Sequence, residues 1–423
     1  MLIRFIYSLL LVLVAPFFLY HLYKKKPGKP SIGKRWKEHF GCTPELASSS
    51  APLWIHAVSV GEVIAVSPLI KRLKQQYPKQ AILLTTTTST GAEQANKLGD
   101  LIEHRYMPLD FSFAVKAFLK QIQPTQLLIM ETELWPNTLH TVAQAGLPIT
   151  VINARLSQRS AKRYAKAPSL FNLLAKNISK LLCQHQDDAQ RFINLGIASD
   201  KVDVTGSIKF DIEITPQLQQ RAEQLRAELG VQRPIWIAAS THQGEDEQVL
   251  AAHQKILKTH PEALLILVPR HPERFNNVYL LSQQFDFQVV RRSLKNQVTA
   301  SSQVYLADTM GEMLILLGAA DLCFMGGSLI GDKVGGHNLL EPAALGIASL
   351  TGPSYFNFTD ITRQLNNANA TTIIHNSYEL ATQVTALFNN KILLQQQGQA
   401  ALSVVQENQG AITKTLQQLQ LDS

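Results

Sequence analysis

Short apolar runs that end in polar residues and give way to helical periodicity recur along this chain. Residues 54–60 read as a strand, and Val63, Val66, Leu69, Ile70 and Leu73 then trace one helical face before Pro78. Residues 81–85 form the next strand, with a threonine run and Gly91 opening a helix through Leu98. Residues 127–130 are apolar and are cut off by Glu131-Thr132-Glu133-Leu134-Trp135-Pro136-Asn137. Residues 148–152, 181–184 and 202–205 complete the series. Alternation of β and α at this spacing predicts a parallel, doubly wound sheet.

A polar, Gln- and Glu-rich helical stretch between Asp211 and Arg233 reads as a connection, and a second α/β series follows. Residues 235–239 lead into Ser240-Thr241-His242-Gln243-Gly244-Glu245, and residues 264–268 into Pro269-Arg270-His271-Pro272-Glu273-Arg274. Residues 304–306 precede Asp308-Thr309-Met310-Gly311-Glu312, and residues 322–325 precede Gly326-Gly327-Ser328. A loop with Gly331, Gly335 and Gly336 then ends at His337-Asn338-Leu339-Leu340-Glu341-Pro342. The Gln-rich residues 395–420 carry spaced Leu and Val, which predicts a helix packing back across the first domain.

The amino end changes the picture. Residues 5–23 hold no formal charge, close to the roughly 20 residues that span a bilayer. Only Arg4 precedes them, whereas Lys24, Lys25, Lys26, Lys29, Lys34, Arg35 and Lys37 follow. A secretory leader has the opposite asymmetry, so the expectation is an uncleaved anchor with the body on the cytoplasmic side. The lysines would lie against anionic headgroups. Pro16 leaves open whether the segment spans or dips in.

Composition narrows the partners. The chain has 423 residues, 45% hydrophobic, with a net charge of +8, which favours an anionic partner. Without zinc-finger spacing or aromatic RNA-binding motifs, nucleic acid is the weakest candidate. Cys42, Cys183 and Cys323 are scattered and give no metal-ligand spacing; two lie in apolar runs and read as buried hydrophobes.

In a doubly wound sheet all carboxyl strand ends open on one crevice. In the first half that collects Ser59, Gly61, Glu62, Thr85 to Thr88, Glu131, Glu133, Asn153, Arg155 and the Gly206-Ser207-Ile208-Lys209 turn. Glu62 alone reads as an ionised acid complementing a helix start. Three carboxylates, an arginine and a lysine together read as a site. Arg155, Arg159, Lys162, Arg163 and Lys166 share one helical face, either a solvated surface or a phosphate contact. In the second half, glycines let backbone N–H groups approach phosphate, Arg270 suits a phosphate or a base edge, and Glu341 suits ribose hydroxyls. No GxGxxG follows the first strand and no GxxxxGK[ST] occurs, which disfavours dinucleotide enzymes and P-loop NTPases.

Seven motifs, in order, resemble the 3-deoxy-D-manno-octulosonic acid (Kdo) transferases of lipopolysaccharide biosynthesis. They are His56-Ala57-Val58-Ser59-Val60-Gly61-Glu62, Met130-Glu131-Thr132-Glu133-Leu134-Trp135-Pro136-Asn137, Asn153-Ala154-Arg155-Leu156-Ser157, Gly206-Ser207-Ile208-Lys209-Phe210-Asp211, Pro269-Arg270-His271-Pro272-Glu273-Arg274-Phe275, Asp308-Thr309-Met310-Gly311-Glu312 and Gly335-Gly336-His337-Asn338-Leu339-Leu340-Glu341. The resemblance implies a GT-B glycosyltransferase: two Rossmann-like domains facing across a cleft, no metal and no cofactor. It implies a CMP-Kdo donor and a phosphorylated, tetraacylated lipid A precursor as acceptor, at the cytoplasmic face of a bacterial inner membrane.

By motif, Glu62 resembles the general base, and Glu131 and Lys209 the groups supporting the transition state. Pro269, Arg270, Met310, Gly311, Glu312, Asn338, Leu339, Leu340 and Glu341 resemble the CMP-binding positions, while Arg155 and Arg159 are candidate contacts to acceptor phosphates. Leu339 stands where many relatives have proline. The implied division is anchor 1–23, basic linker 24–50, acceptor domain 51–210, connection 211–233, CMP-sugar domain 234–400 and C-terminal helix 401–423. The competing readings are another GT-B enzyme, such as a UDP-sugar transferase or UDP-sugar 2-epimerase, and a non-catalytic binder of anionic lipid.

Overall fold

Two seven-stranded sheets, parallel throughout, organise the molecule. The computed structural model describes residues 2–24, 30–419 and 421. The chain forms two units, Met1–Asp211 with Gln409–Ser423, and Ile212–Asn408.

The first sheet contains β1 (Leu53–His56), β2 (Ile82–Thr86), β3 (Glu103–Tyr106), β4 (Gln126–Met130), β5 (Ile149–Ala154), β6 (Lys180–Cys183) and β7 (Val202–Val204), ordered 3-2-1-4-5-6-7. The second contains β8 (Ile235–Thr241), β9 (Leu264–Pro269), β10 (Val289–Arg291), β11 (Val304–Leu306), β12 (Leu322–Met325), β13 (Ala348–Thr351) and β14 (Thr371–Ile373), ordered 10-11-9-8-12-13-14. β1, β2, β4 and β5 are buried along their whole length, because helices cover both faces of a parallel sheet. Such strands read as unbroken apolar runs, which is why pattern alone finds them.

Each sheet has a buried tryptophan at the second position of its first strand. Trp54 donates to Thr85 Oγ1 at 2.9 Å, and Trp236 to His253 Nδ1 at 3.2 Å. Strand order reverses direction at β1/β4 in the first sheet and at β8/β12 in the second. Open sheets of this type bind ligands outside the carboxyl ends at those switch points.

Several elements differ from the sequence reading. β3, β10, β13 and β14 are not in it; β10 and β14 have only three residues, and β3 alternates half-buried with buried positions. β1 stops at His56, and the next helix begins at Val60. The expected connection is largely the helix Pro216–Leu229, which packs within the second unit on the helix Met313–Gly318. A Cβ on Gly318 would lie 2.7 Å from that of Ala222, so the glycine permits the close approach. The C-terminal stretch is two helices. Lys391–Asn408 stays with the second unit, and Ala411–Gln418 returns to pack on Val60–Gln76. Asp211 ties that return, accepting the N–H groups of Gly410 at 2.6 Å and Ile412 at 2.5 Å.

Leu2–Tyr23 is a helix containing Pro16. Tyr7 donates to Asp110 Oδ2 at 2.8 Å, and Asn137 Nδ2 to Ser8 Oγ at 3.0 Å. Phe5, Leu9, Leu13 and Phe17 are exposed on the helix. Among the described residues no helix is long and apolar enough to cross a membrane. Lys25, Lys26 and Lys29 lie outside the described residues. Cys183 and Cys323 are buried and Cys42 is exposed.

Candidate active site

Glu62 sits in the first turn of the helix Val60–Gln76, immediately after β1. Its N–H donates to Ser59 Oγ at 3.3 Å, and its carboxylate accepts from Ser59 Oγ at 3.0 Å and from Val58 N–H at 2.9 Å. The Ser59-x-x-Glu62 spacing is that of a reciprocal helix cap, with the acid reaching back one residue beyond the capping serine. A fully ionised helix-start acid was the expectation; the structure corrects it. Burial pushes the Glu62 carboxyl up to about 7, against the pull of Val58 N–H and Ser59, and the charges of Glu131 and Glu133 push it further. Desolvation here outweighs the helix terminus.

The other side of the switch point is built by β4 and β5. Glu131 follows β4 at φ +56° and donates its N–H to the Ile152 carbonyl at 3.0 Å. Asn153, at φ +53°, accepts Ile208 N–H on Oδ1 at 3.2 Å and so fixes the turn carrying Lys209. Lys209 Nζ lies 3.6 Å from Glu131 Oε1. Left-handed backbone at non-glycine residues costs on the order of 1–3 kcal/mol and concentrates at functional sites. Here two such residues orient the two partners of one ion pair. Burial places His56 at about 4, a neutral imidazole beneath Trp135, whose Nε1 donates to Glu133 at 3.2 Å.

Asp110, absent from the sequence reading, holds the end of the Glu131 segment. It accepts Asn137 N–H at 3.1 Å, Thr138 N–H at 2.6 Å and Thr138 Oγ1 at 2.7 Å, which caps the helix Pro136–Gln144. Its only sequence signal is a lone acid shortly after a short strand.

Arg155 is exposed, and its carbonyl accepts from Thr132 Oγ1. Arg159, Lys162, Arg163 and Lys166 line, with Gln158, a concavity of about 380 Å³ on the helix Gln158–Ala165.

In the second unit Pro269 ends β9 and is buried, while Arg270 is exposed and donates its N–H to the Thr241 carbonyl at 3.0 Å. Met310 is 57% exposed. Glu312 is gripped by Arg292 at 2.7 and 2.8 Å and by Thr309 Oγ1 at 2.5 Å; the Arg292 bonds hold it down to about 2. Leu339 and Leu340 pack in the core, Asn338 Oδ1 accepts Leu340 N–H at 3.1 Å, and Glu341 lies in the first turn of the helix Leu340–Ala344. Burial raises the Glu341 carboxyl against the pull of Arg270.

The Gly326-Gly327-Ser328 turn does not offer its amides to phosphate as expected. Glu245, fully buried, accepts the N–H groups of Gly327 at 2.6 Å, Ser328 at 2.9 Å, Leu329 at 2.9 Å and His242 at 3.0 Å. Among the described residues no group of three or more His, Cys, Asp or Glu could hold a metal ion.

Two doubly wound units, the first with acids and a lysine at its switch point, place the chain in the GT-B class of fold. The fold resembles that of UDP-GlcNAc 2-epimerase from Neisseria meningitidis bound to UDP-GlcNAc, with a TM-score of 0.56 at 14% identity, over 88% of this chain and all of that one. Residues 34–212 match the family described as 3-Deoxy-D-manno-octulosonic-acid transferase (kdotransferase). The 3-deoxy-D-manno-octulosonic acid transferase of Haemophilus influenzae is 40% identical over 419 residues, 98% of this chain and 97% of that protein. That of Rickettsia felis is 33% identical, over 88% of this chain and 80% of its own length. The chain belongs to the Kdo transferase family.

Proposed function

We propose that the chain transfers Kdo from CMP-Kdo to a phosphorylated, tetraacylated lipid A precursor, with inversion at the anomeric carbon. The observation that carries this reading is Glu62, a base tuned to about 7, at the same switch point as the Glu131–Lys209 pair. Glu62 takes the proton of the acceptor hydroxyl as that oxygen attacks. Lys209, oriented by Glu131, supports negative charge growing on the donor's carboxylate or on departing CMP. Arg270, the Met310 to Glu312 turn and the Asn338 to Glu341 segment form the donor's nucleotide site. Their core-packed members, Leu339 and Leu340, contribute through backbone groups. Arg155 and Arg159 meet acceptor phosphates, and the basic concavity beside Arg159 supports that assignment.

The reading places the protein on the cytoplasmic face of a bacterial inner membrane. The helix Leu2–Tyr23 supports it with a row of exposed Phe, Leu and Val side chains opposite the face that holds Tyr7 and Ser8 against the body. An apolar face of that size, followed by lysines, fits an anionic bilayer surface.

The direct test is incubation with CMP-Kdo and a tetraacyl acceptor, following CMP release and the mass of the lipid product. One or more Kdo units added is the expected result. Release of UDP from a UDP-sugar, with no turnover of CMP-Kdo, would favour the GT-B rival. In the same assay Lys209→Ala should lower kcat about 100-fold, in line with loss of one electrostatic stabiliser. Glu131→Gln should give a smaller loss, because the lysine remains. Equal activity of Lys209→Ala and wild type would remove the lysine from the mechanism.

A further inference from the structure

The switch point of the second sheet carries a pair of histidines with no role in the assignments above. His242 follows β8 and His337 ends the loop after β12, so two neighbouring strands bring them together. Their rings stack at 5.1 Å with 13° between planes, and the Nε2 atoms are 2.8 Å apart. At that distance one Nε2 donates and the other accepts, so a single proton lies between the rings and each Nδ1 is left for a ligand. Both rings are half-buried and reachable.

The pair has its own scaffold. Glu245 binds the backbone of His242 and that of Gly327, and Gly336 N–H donates to the Gly327 carbonyl at 2.8 Å, one residue before His337. A Cβ on Gly327 would fall 2.9 Å from His337 Cδ2, so glycine there lets the ring seat against the loop. The groups facing the pair are cationic or able to become so. His271 stands edge-on to His242 at 5.3 Å, Arg270 acts on both rings, and Arg274 acts on His242. The nearby acids are engaged elsewhere: Asp246 with Thr241 and Arg274, Glu245 with backbone N–H groups, and Glu341 opposite Arg270.

We propose that the His242–His337 pair binds the phosphoryl group of the departing nucleotide and supplies it with a proton as the sugar–phosphate bond breaks. This rests on the CMP-Kdo donor proposed above. Without a ligand, burial and cationic neighbours keep both rings neutral, each at about 4. A bound phosphate beside Arg270 reverses that balance, since a nearby anion favours imidazolium, and the pair takes a proton from solvent. The acceptor oxygen then bonds to the anomeric carbon, and the carbon–oxygen bond to phosphate breaks with its electron pair on the phosphate oxygen. That oxygen receives the pair's proton, while the acceptor's proton goes to Glu62. Product release returns both groups to their starting states by exchange with solvent.

The test is steady-state CMP release by the full chain from CMP-Kdo with a tetraacyl acceptor, across pH 5 to 9, for wild type, His242→Gln and His337→Asn. Each variant should lose about 100-fold in kcat, in the range of a general acid, with donor KM changed by less than about threefold. The alkaline limb of the wild-type kcat profile should vanish in both, and added imidazole should restore part of the rate. Variants that keep kcat within about threefold, or keep the alkaline limb, overturn the proposal. So does a loss of kcat that tracks a fallen melting temperature in both variants without moving the limb. If one variant does not fold, the other decides. Wild type that turns over no CMP-Kdo would overturn the donor assignment itself, a result distinct from active wild type with unimpaired variants.

Discussion

Glu62→Gln should abolish transfer, with kcat falling by about 10³-fold or more, because the amide keeps the shape of the site and removes the only base proposed for the acceptor proton. The pH dependence makes the assignment specific. A base at about 7 must be deprotonated to act, so the acid limb of the wild-type kcat profile should fall tenfold per pH unit below about 7, while the alkaline limb reports the His242–His337 pair. Stability should run the other way. The folded-state value lies above the ordinary carboxyl value of 4.5, so the native protein holds this proton more tightly than the unfolded chain does. The group's contribution is present below about 4.5 and lost as pH rises through about 7. Glu62→Gln should therefore melt at or above the wild-type temperature at pH 8 while remaining inactive. An inactive variant that also melts well below wild type would reduce Glu62 to a helix cap; an active one would end its role as base.

What the sequence revealed and what it hid follow from the same physics. Strands buried on both faces announce themselves as apolar runs, so β1, β4, β5, β8, β9 and β12 were legible, and with them both switch points. Three-residue edge strands such as β10 and β14 bury too little to leave a pattern. Glu62, Glu131 and Lys209 could be gathered on one crevice because strand ends of a parallel sheet share a side. The left-handed turns at Glu131 and Asn153 that orient them could not be read, since neither residue is glycine: local preference argues against that backbone at a glutamate and only tolerates it at an asparagine. Nor could the tuning of Glu62: the sequence shows a helix-start acid, and only packing shows that burial wins.

Glu245 makes the same point from the other sheet. Each unit places an acid just beyond its first strand, nine residues or fewer from the buried tryptophan, and each acid accepts an N–H from the turn before it: Val58 for Glu62, His242 for Glu245. The environments then part. Glu62 is half-buried with one N–H and one hydroxyl donor, which leaves it able to exchange a proton. Glu245 is fully buried with four N–H donors, so its oxygens are spent on structure. An acid in that setting is an internal anion for a backbone nest, and its removal strands the donors.

Glu245→Ala should accordingly destabilise the second unit by about 3–5 kcal/mol, each orphaned buried N–H costing about 1–3 kcal/mol before water re-enters. For a unit of this size that lowers its melting temperature by about 6–20 °C. Glu245→Gln should not rescue it fully. One amide oxygen can still accept from Ser328 and Leu329, but the NH2 group then faces the N–H groups of Gly327 and His242, donor against donor. Hydrogen exchange separates this from global loosening. Protection should fall first at residues 327–329 and at His242, while the amides of β1 and β4 in the first unit keep theirs. Glu245→Ala with wild-type melting and unchanged exchange at residues 327–329 would mean that the loop holds its shape without the carboxylate, and the scaffold argued for the His242–His337 pair would fall with it.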